Sequence, residues 1–241
     1  MRIVREKKIV VTGGAAGICM EAAIMFSEAG AEVYVLDLSD DRLDELKKEH
    51  PKITCIKADI TDEKHIDEIF SQLGDIDVLI NGASLQIERE FDDISIDESR
   101  RIWDVTYNGT LICTKSALKY MSEGTILDIL THEGIRTNQY PYAAAKSGVR
   151  TDIKNLAIYL SKKSQNPITI NGITFAAVSG TIRNNDWMED EKAVLEAKKR
   201  TPLHKIMTAR QAGELIYAYI VYFSEFSTGS VFYADCGRSL V

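Results

Sequence analysis

The stretch KIVVTGGAAGIC, Lys8 to Cys19, decides how the rest of the chain is read. Its first half is a short run rich in β-branched apolar residues, the kind that packs into a sheet. Its second half places glycines at 13, 14 and 17, where an apolar helical pattern, Ile18–Ala29, is about to start. A strand, a glycine-rich bend and a helix make a phosphate cradle. The glycines let backbone N–H groups approach a pyrophosphate, and the helix N-terminus favours its negative charge. Gly13 falls at the turn, with Gly17 and Ile18 at the helix start. Cys19 stands where a third glycine is usual. Its side chain is small and apolar, so binding is expected to survive, and restoring glycine there is expected to leave binding equal or better.

Working outward, Asp37 closes a second strand pattern, Glu32–Asp37, and lies 20 residues beyond Gly17. A carboxylate at that place accepts hydrogen bonds from the adenosine ribose hydroxyls and repels a 2′-phosphate. Ala15, Ala16 and Leu38 offer that phosphate no positive charge. The expected cofactor is therefore NAD rather than NADP, with Gly13, Gly17, Ile18, Asp37 and Leu38 against it.

The same alternation runs to the end of the chain. Strand patterns at Ile9–Thr12, Glu32–Asp37, Thr54–Lys57, Val78–Asn81, Thr125–Leu130, Ile168–Ile173 and Val231–Ala234 alternate with helical ones. The helical patterns cover Ile18–Ala29, Asp41–Glu49, Glu63–Leu73, Ile96–Tyr120, Tyr142–Lys162 and Ala209–Tyr222. Ser95 and Glu98 form a capping box before the fourth of them. Nearly continuous apolar strands separated by helices predict an α/β fold: a doubly wound sheet of about seven parallel strands with helices on both faces. With 241 residues, 45% of them hydrophobic, the chain suits one domain, 1–241. Residues 175–200 lack strand character and contain a helical run, Glu191–Lys199. They are the expected substrate loop or lid.

Composition narrows the function classes. The net charge of −7 and the scattered Lys and Arg residues argue against a nucleic-acid partner. Four widely spaced cysteines form no CxxC pair, and four scattered histidines show no metal-ligand spacing, so neither a disulfide framework nor a metal site is expected. No run approaches the ~18 apolar residues of a membrane span. The segment MRIVREKKIVV lacks the apolar stretch of a signal peptide, which leads to a cytoplasmic expectation.

Chemistry enters at YPYAAAKSGV. Tyr142 and Lys146 are four apart and share one helix face. An ammonium beside a phenol favours the phenolate, which suits a proton donor and acceptor for a carbonyl/alcohol pair.

Taken together, these residues resemble the short-chain dehydrogenase/reductase family, in its compact single-domain branch with a Rossmann-type sheet. The resemblance covers nearly the whole chain. It rests on the TGxxxGxG-like loop, Asp37, Asp59-Ile60, Asn81-Gly82-Ala83, the Tyr142-x-x-x-Lys146 pair and the closing Thr228-Gly229…Asp235-Cys236-Gly237-x-Ser239-Leu240. It implies that Tyr142 shuttles the proton and that Lys146 also holds the nicotinamide ribose. It further implies that Asp59 and Ile60 flank the adenine, that Asn81, Gly82 and Ala83 line the cofactor trough, and that Val178 lies near the nicotinamide. The family's catalytic serine falls on Thr131, which keeps a hydroxyl. Two residues are missing between that position and the tyrosine. The family's helix asparagine falls on Thr106, and Asn108 does not replace it, since two helical steps turn a side chain by roughly 200°. The Pro-Gly usual after the sixth strand is Phe175-Ala176.

The function so implied is an NAD-dependent interconversion of a secondary alcohol and a ketone on a small polar molecule, with Thr131, Tyr142 and Lys146 as the catalytic set. The expected rim comprises Gln86, Glu88, Arg89, His132, Arg136, Asn138 and Arg183–Trp187. The alternative is an NAD-binding regulatory or scaffold protein with little turnover, suggested by Thr106 and Cys19. The resemblance also implies a homo-oligomer, a dimer or tetramer, packed through the long helices.

Overall fold

The computed structural model describes residues 4–132, 138–163, 167–181 and 189–241. The expected alternation opens with β1 (Lys8–Thr12), α1 (Gly17–Glu28), β2 (Glu32–Asp37), α2 (Asp40–Glu49), β3 (Thr54–Lys57), α3 (Glu63–Leu73) and β4 (Val78–Asn81). It continues with α4 (Ile96–Trp103), a π-helical segment (Asp104–Asn108), α5 (Gly109–Ala117), β5 (Gly124–Thr131), α6 (Tyr140–Lys163) and β6 (Ile168–Phe175). Last come β7 (Val178–Ser179), α7 (Glu191–Lys199), β8 (Met207–Thr208), α8 (Ala209–Tyr222) and β9 (Val231–Ala234).

Seven strands form one parallel sheet in the order β3-β2-β1-β4-β5-β6-β9. Successive side chains leave a strand on opposite faces, and here both faces are covered. Ile9, Val11, Ile80 and Leu127 join one core layer with Phe26 of α1 and Ile216 of α8. Val10, Leu79 and Ile126 join the other, with Phe70 of α3 and Val149 and Ile153 of α6. Each such fully buried side chain contributes roughly 1.5–3 kcal/mol by leaving water. The order turns back on itself at β1 and β4. A crevice opens there beyond the carboxyl ends of the strands, and Thr12, Asn81, Thr131 and Phe175 stand at those ends. Among the described residues, no helix is long and apolar enough to cross a membrane.

Four features depart from the sequence reading. The helix expected over Ile96–Tyr120 starts at its capping box, with Ser95 Oγ accepting the Glu98 N–H at 3.1 Å, but it is interrupted by the π-helical segment and ends at Ala117. The interruption is stitched from three sides. The Thr106 hydroxyl bonds to the backbone of Leu85, the Thr110 hydroxyl donates to the Thr106 carbonyl at 2.9 Å, and Gly148 of α6 packs against the Tyr107 ring. Hydrophobic periodicity carries no signal for such a widened turn, because the apolar face resumes after it. Strands β5 and β6 run further than expected, because their pairing continues to Thr131 opposite Phe175. Helix α6 begins at Tyr140, so Pro141 lies inside its first turn rather than before it. The two-residue β7–β8 ladder was not expected, being too short for any alternation to register.

Candidate active site

A cleft of about 1770 Å³ runs along the carboxyl edge of the sheet. At its floor the chain turns from β1 into α1. Gly13 has φ of 62° and Gly17 of 58°, backbone shapes that suit glycine, and the Gly13 N–H donates to the Leu36 carbonyl at 2.8 Å. Helix α1 starts at Ala16 with no side-chain cap and no acid in its first turn. By contrast, α3, α4, α7 and α8 are capped by Asp62, Ser95, Asp190 and Thr208. First-turn N–H groups lack intrahelical partners by construction, so this uncapped end, opening into the cleft, fits a pyrophosphate.

Asp37 lies at the end of β2 beside this loop. Its carboxylate accepts the N–H groups of Ala15 at 3.2 Å and Ser39 at 3.1 Å, and Arg42 approaches it at 3.4 Å. Arg42 also lines the cleft. It is a cation that inspection of positions 15, 16 and 38 did not reveal, because α2 brings it back over the strand end. Ile18, Leu38, Asp59 and Ile60 line the same end of the cleft, and Asp59 accepts the Thr61 N–H and hydroxyl.

Cys19 is packed more closely than its place in the loop implies. It is 6% exposed and joins the core, and burial pushes its thiol up to about 12 despite the pull of the Lys146 ammonium. A Cβ built on Gly82 would lie 2.2 Å from the Cys19 sulfur. Cys19 and Gly82 therefore fit each other: the sulfur occupies the room that a residue with a side chain at 82 would need. Cys19→Gly is now expected to leave a void and to place a glycine near the helix start, lowering stability by about 1–2 kcal/mol. Gly82→Ala should cost more while Cys19 is present, and the double variant should recover part of that loss. Urea unfolding of the four proteins checks this, and additive losses would show that the two sites are not coupled.

At the other end, Thr131 closes β5 and Tyr142 lies in the first turn of α6. Both line the cleft, and among the described residues neither hydroxyl has a hydrogen-bond partner. Lys146 and Asn81, expected in the wall, lie one layer beneath it. Lys146 is 3% exposed and donates to the Ile129 carbonyl at 2.6 Å. Asn81 is buried and donates to Thr114 at 3.0 Å and Asp128 at 2.9 Å. Gly82 and Ala83, whose N–H groups reach the Thr12 hydroxyl, are the residues that face the cleft. Burial pushes the Asp128 carboxyl up to about 6, against the opposing pull of the Asn81 hydrogen bond and the Lys146 charge. Arg150, one turn beyond Lys146, donates to the Thr131 carbonyl at 2.8 Å and to the Tyr233 hydroxyl at 3.0 Å, fixing the strand end that carries Thr131.

Thr106, at the family's asparagine position, is fully buried. Its hydroxyl accepts the Leu85 N–H at 3.1 Å and donates to the Leu85 carbonyl at 3.2 Å, so it fastens the loop after β4. Asn108 is tied to Asp104 at 2.9 Å.

The rim is polar. Gln86, Glu88, His132 and Asn138 line the cleft, as do Phe175, Ala176 and Val178. Arg89 instead pairs with Glu98 at 3.8 Å. Arg136 and Arg183–Trp187 lie outside the described residues. The sequence reading did not name Gln139 and Arg238, nor single out Thr181, Glu196 and Arg200 within the expected loop 175–200, and all five line the cleft. No motif marks them, and only the fold brings α7 and the C-terminal turn to this edge. Among the described residues no group of three metal-ligating side chains gathers.

Known proteins resemble this chain in sequence and in fold. The chain is 25% identical over 249 residues to glucose 1-dehydrogenase of Gluconobacter oxydans, covering 97% of this chain and 92% of that protein. It is 29% identical over 195 residues to meso-2,3-butanediol dehydrogenase of Serratia marcescens, covering 77% and 76%. The solved structure of Cj0485 dehydrogenase matches the fold with a TM-score of 0.88 at 21% identity, over 100% of this chain and 97% of that one. The family model described as short chain dehydrogenase matches residues 7–192, well over half of the sequence, and the chain belongs to the short-chain dehydrogenase/reductase family.

Proposed function

We propose that this protein is an NAD-dependent oxidoreductase that interconverts a secondary alcohol and a ketone on a small polar molecule. One observation carries the reading: the hydroxyls of Thr131 and Tyr142, unengaged among the described residues, line the same cleft as the uncapped start of α1. The nicotinamide cofactor, when bound, supplies the hydride acceptor or donor. In the oxidative direction Tyr142 Oη takes the proton of the substrate hydroxyl, and the Thr131 hydroxyl donates to the same oxygen as the carbonyl forms. An ammonium has three donors, and Lys146 spends one on the Ile129 carbonyl. The others remain for the ribose and for the tyrosine side of the cleft. Gly13, Gly17, Ile18, Asp37, Leu38, Asp59, Ile60, Gly82, Ala83 and Val178 hold the cofactor, with Asn81 supporting them from below.

Residues 175–200 serve as the substrate loop, a reading supported by Ala193, Glu196 and Ala197 of α7 lining the cleft. The relatives named for glucose and butanediol support a small hydroxylated substrate. The scaffold alternative rested on Thr106 and Cys19. Both now read as compensated changes, one through Leu85 and the other through Gly82. A cytoplasmic dimer or tetramer belongs to the same proposal. Tyr222, Phe223, Phe226 and Phe232 leave apolar surface exposed along α8 and β9 for a second copy.

On cofactor choice, NAD is expected to bind at least about tenfold more tightly than NADP, a difference of about 1.4 kcal/mol. Asp37→Ala should narrow that ratio. Arg42→Ala should widen it, because the cation beside Asp37 is the group best placed to offset repulsion of a 2′-phosphate. Calorimetric titration with both cofactors is the test, and equal affinities in the unaltered protein would sink the assignment. A panel of alcohols and ketones followed at the nicotinamide absorbance tests the reaction itself.

A further inference from the structure

We infer that the substrate carries a carboxylate at the end remote from the reacting carbon, held by Arg200 and Arg238. This rests on the oxidoreductase reading above and names its substrate class.

The order of strands places the two arginines. Asp37 on β2 and Asp59 after β3 mark the adenine end of the cleft, on one flank of β1 and β4. On the other flank β5, β6 and β9 lie side by side, with Thr131 opposite Phe175 and Phe175 opposite Ala234. Neighbouring strands are about 4.8 Å apart, so the end of β9 lies roughly 10 Å from the column that ends in Thr131. Arg238 follows β9 directly. A molecule with its reacting carbon at Thr131 and Tyr142 and its chain running away from the cofactor meets this wall.

The two guanidinium groups reach the wall through one clasp. Asp235 is buried and accepts the N–H groups of Gly237 at 2.9 Å and Ser239 at 2.7 Å, which pins the turn bearing Arg238. The Leu203 N–H donates to the Cys236 carbonyl at 3.2 Å, and Gly237 lies so close to Pro202 that a Cβ there would approach within 2.9 Å. Thr201, next to Arg200, is buried, and its hydroxyl holds the Lys198 carbonyl and the Lys205 N–H. Arg200 at the end of α7 and Arg238 therefore share one support.

Charge completes the argument. Among the described residues neither arginine pairs with a side-chain carboxylate; one N–H of Arg238 donates to a terminal oxygen of Val241 at 2.8 Å. The carboxylates nearby are engaged elsewhere: Glu196 pairs with Lys199 at 2.8 Å, although it also feels Arg200, and Glu88 accepts from Gln139 at 2.7 Å. In a chain of net charge −7, this wall lines the cleft with two forked cations that pair with no side-chain carboxylate among the described residues. Guanidinium groups bind planar carboxylates through paired hydrogen bonds, which a neutral amide cannot reproduce.

The test uses hydroxy acids and their carbon-matched amides, 3-hydroxybutyrate with 3-hydroxybutyramide and gluconate with gluconamide. Each is titrated by calorimetry into the NAD-saturated protein and then assayed for turnover. At least one acid should bind tenfold or more tightly than its amide. Arg200→Gln and Arg238→Gln should each narrow that ratio severalfold, the double variant should bring it close to one, and lysine at either position should keep part of it. Equal binding of acid and amide by the unaltered protein overturns the inference, as does a double variant that keeps the full preference. Turnover without any preference removes the carboxylate site and leaves the redox reading intact. A preference without turnover of any alcohol supports the site and removes the redox reading.

Discussion

Tyr142→Phe is expected to lower kcat by about 10³-fold, close to 4 kcal/mol of barrier, while the NAD dissociation constant stays within about twofold. The separation follows from the geometry. The ring stays in place at the start of α6 and only the oxygen goes, and that oxygen has no structural partner among the described residues. The phosphate cradle, Asp37 and the Gly82-Ala83 wall are untouched. Thr131→Ala should fall by about 100-fold, because a single hydrogen bond to a developing oxyanion is lost, and Thr131→Ser should be tolerated. Stopped-flow turnover and cofactor titration of the same preparations separate the two quantities. A Tyr142→Phe protein at full activity removes the tyrosine from the mechanism.

The largest structural effect is expected at Gly13. Its φ of 62° costs an L-residue about 1–2 kcal/mol. A Cβ there would also stand 2.7 Å from Ala83 Cα and 2.8 Å from Ala83 N, both backbone atoms that cannot swing away. Gly13→Ala must therefore push the end of β4 from the end of β1, adding about 1–3 kcal/mol. Gly74 provides the comparison. It has a similar φ of 68° but a ψ of −141°, a backbone shape nearly closed to residues with a side chain, and nothing lies within 4 Å of its Cβ position, so Gly74→Ala carries a backbone cost with no clash. Denaturant unfolding should show both variants less stable than the unaltered protein, and NAD affinity should drop by more than tenfold only in Gly13→Ala. Unchanged NAD affinity in Gly13→Ala would mean that the contact with Ala83 relaxes freely.

These two sites also show what the sequence could and could not reveal. The cradle was legible because its chemistry is local: glycines at 13 and 17, a strand before them, a helix after them and Asp37 at a fixed distance all belong to one βαβ unit. The seven parallel strands were legible for the same reason, since each apolar run is bounded by its own turn. What depended on distant contacts stayed hidden. Cys19 read as a weakened glycine because its partner, Gly82, is far along the chain and meets it only when β4 lies beside β1. Thr106 read as a lost function because Leu85, the backbone it holds, follows a different strand. The π-helical segment has no periodic signature, and Arg200 and Arg238 fit no motif. Lys146 and Asn81 carried the right spacing, but spacing does not distinguish the lining of a cleft from the layer beneath it.

The central claim is that hydride passes directly between substrate carbon and a nicotinamide bound at the Thr131 and Tyr142 end of the cleft. Its most direct test is isotopic: the protein, NAD and an alcohol from the panel deuterated at the carbinol carbon are mixed, and the reduced cofactor is examined by mass spectrometry. The account predicts one deuterium per reduced nicotinamide with the unaltered protein and none above background with Tyr142→Phe in the same interval. Reduced cofactor that carries solvent hydrogen instead of the label, or NAD that binds tightly and is reduced by no alcohol or regenerated by no ketone, would contradict it.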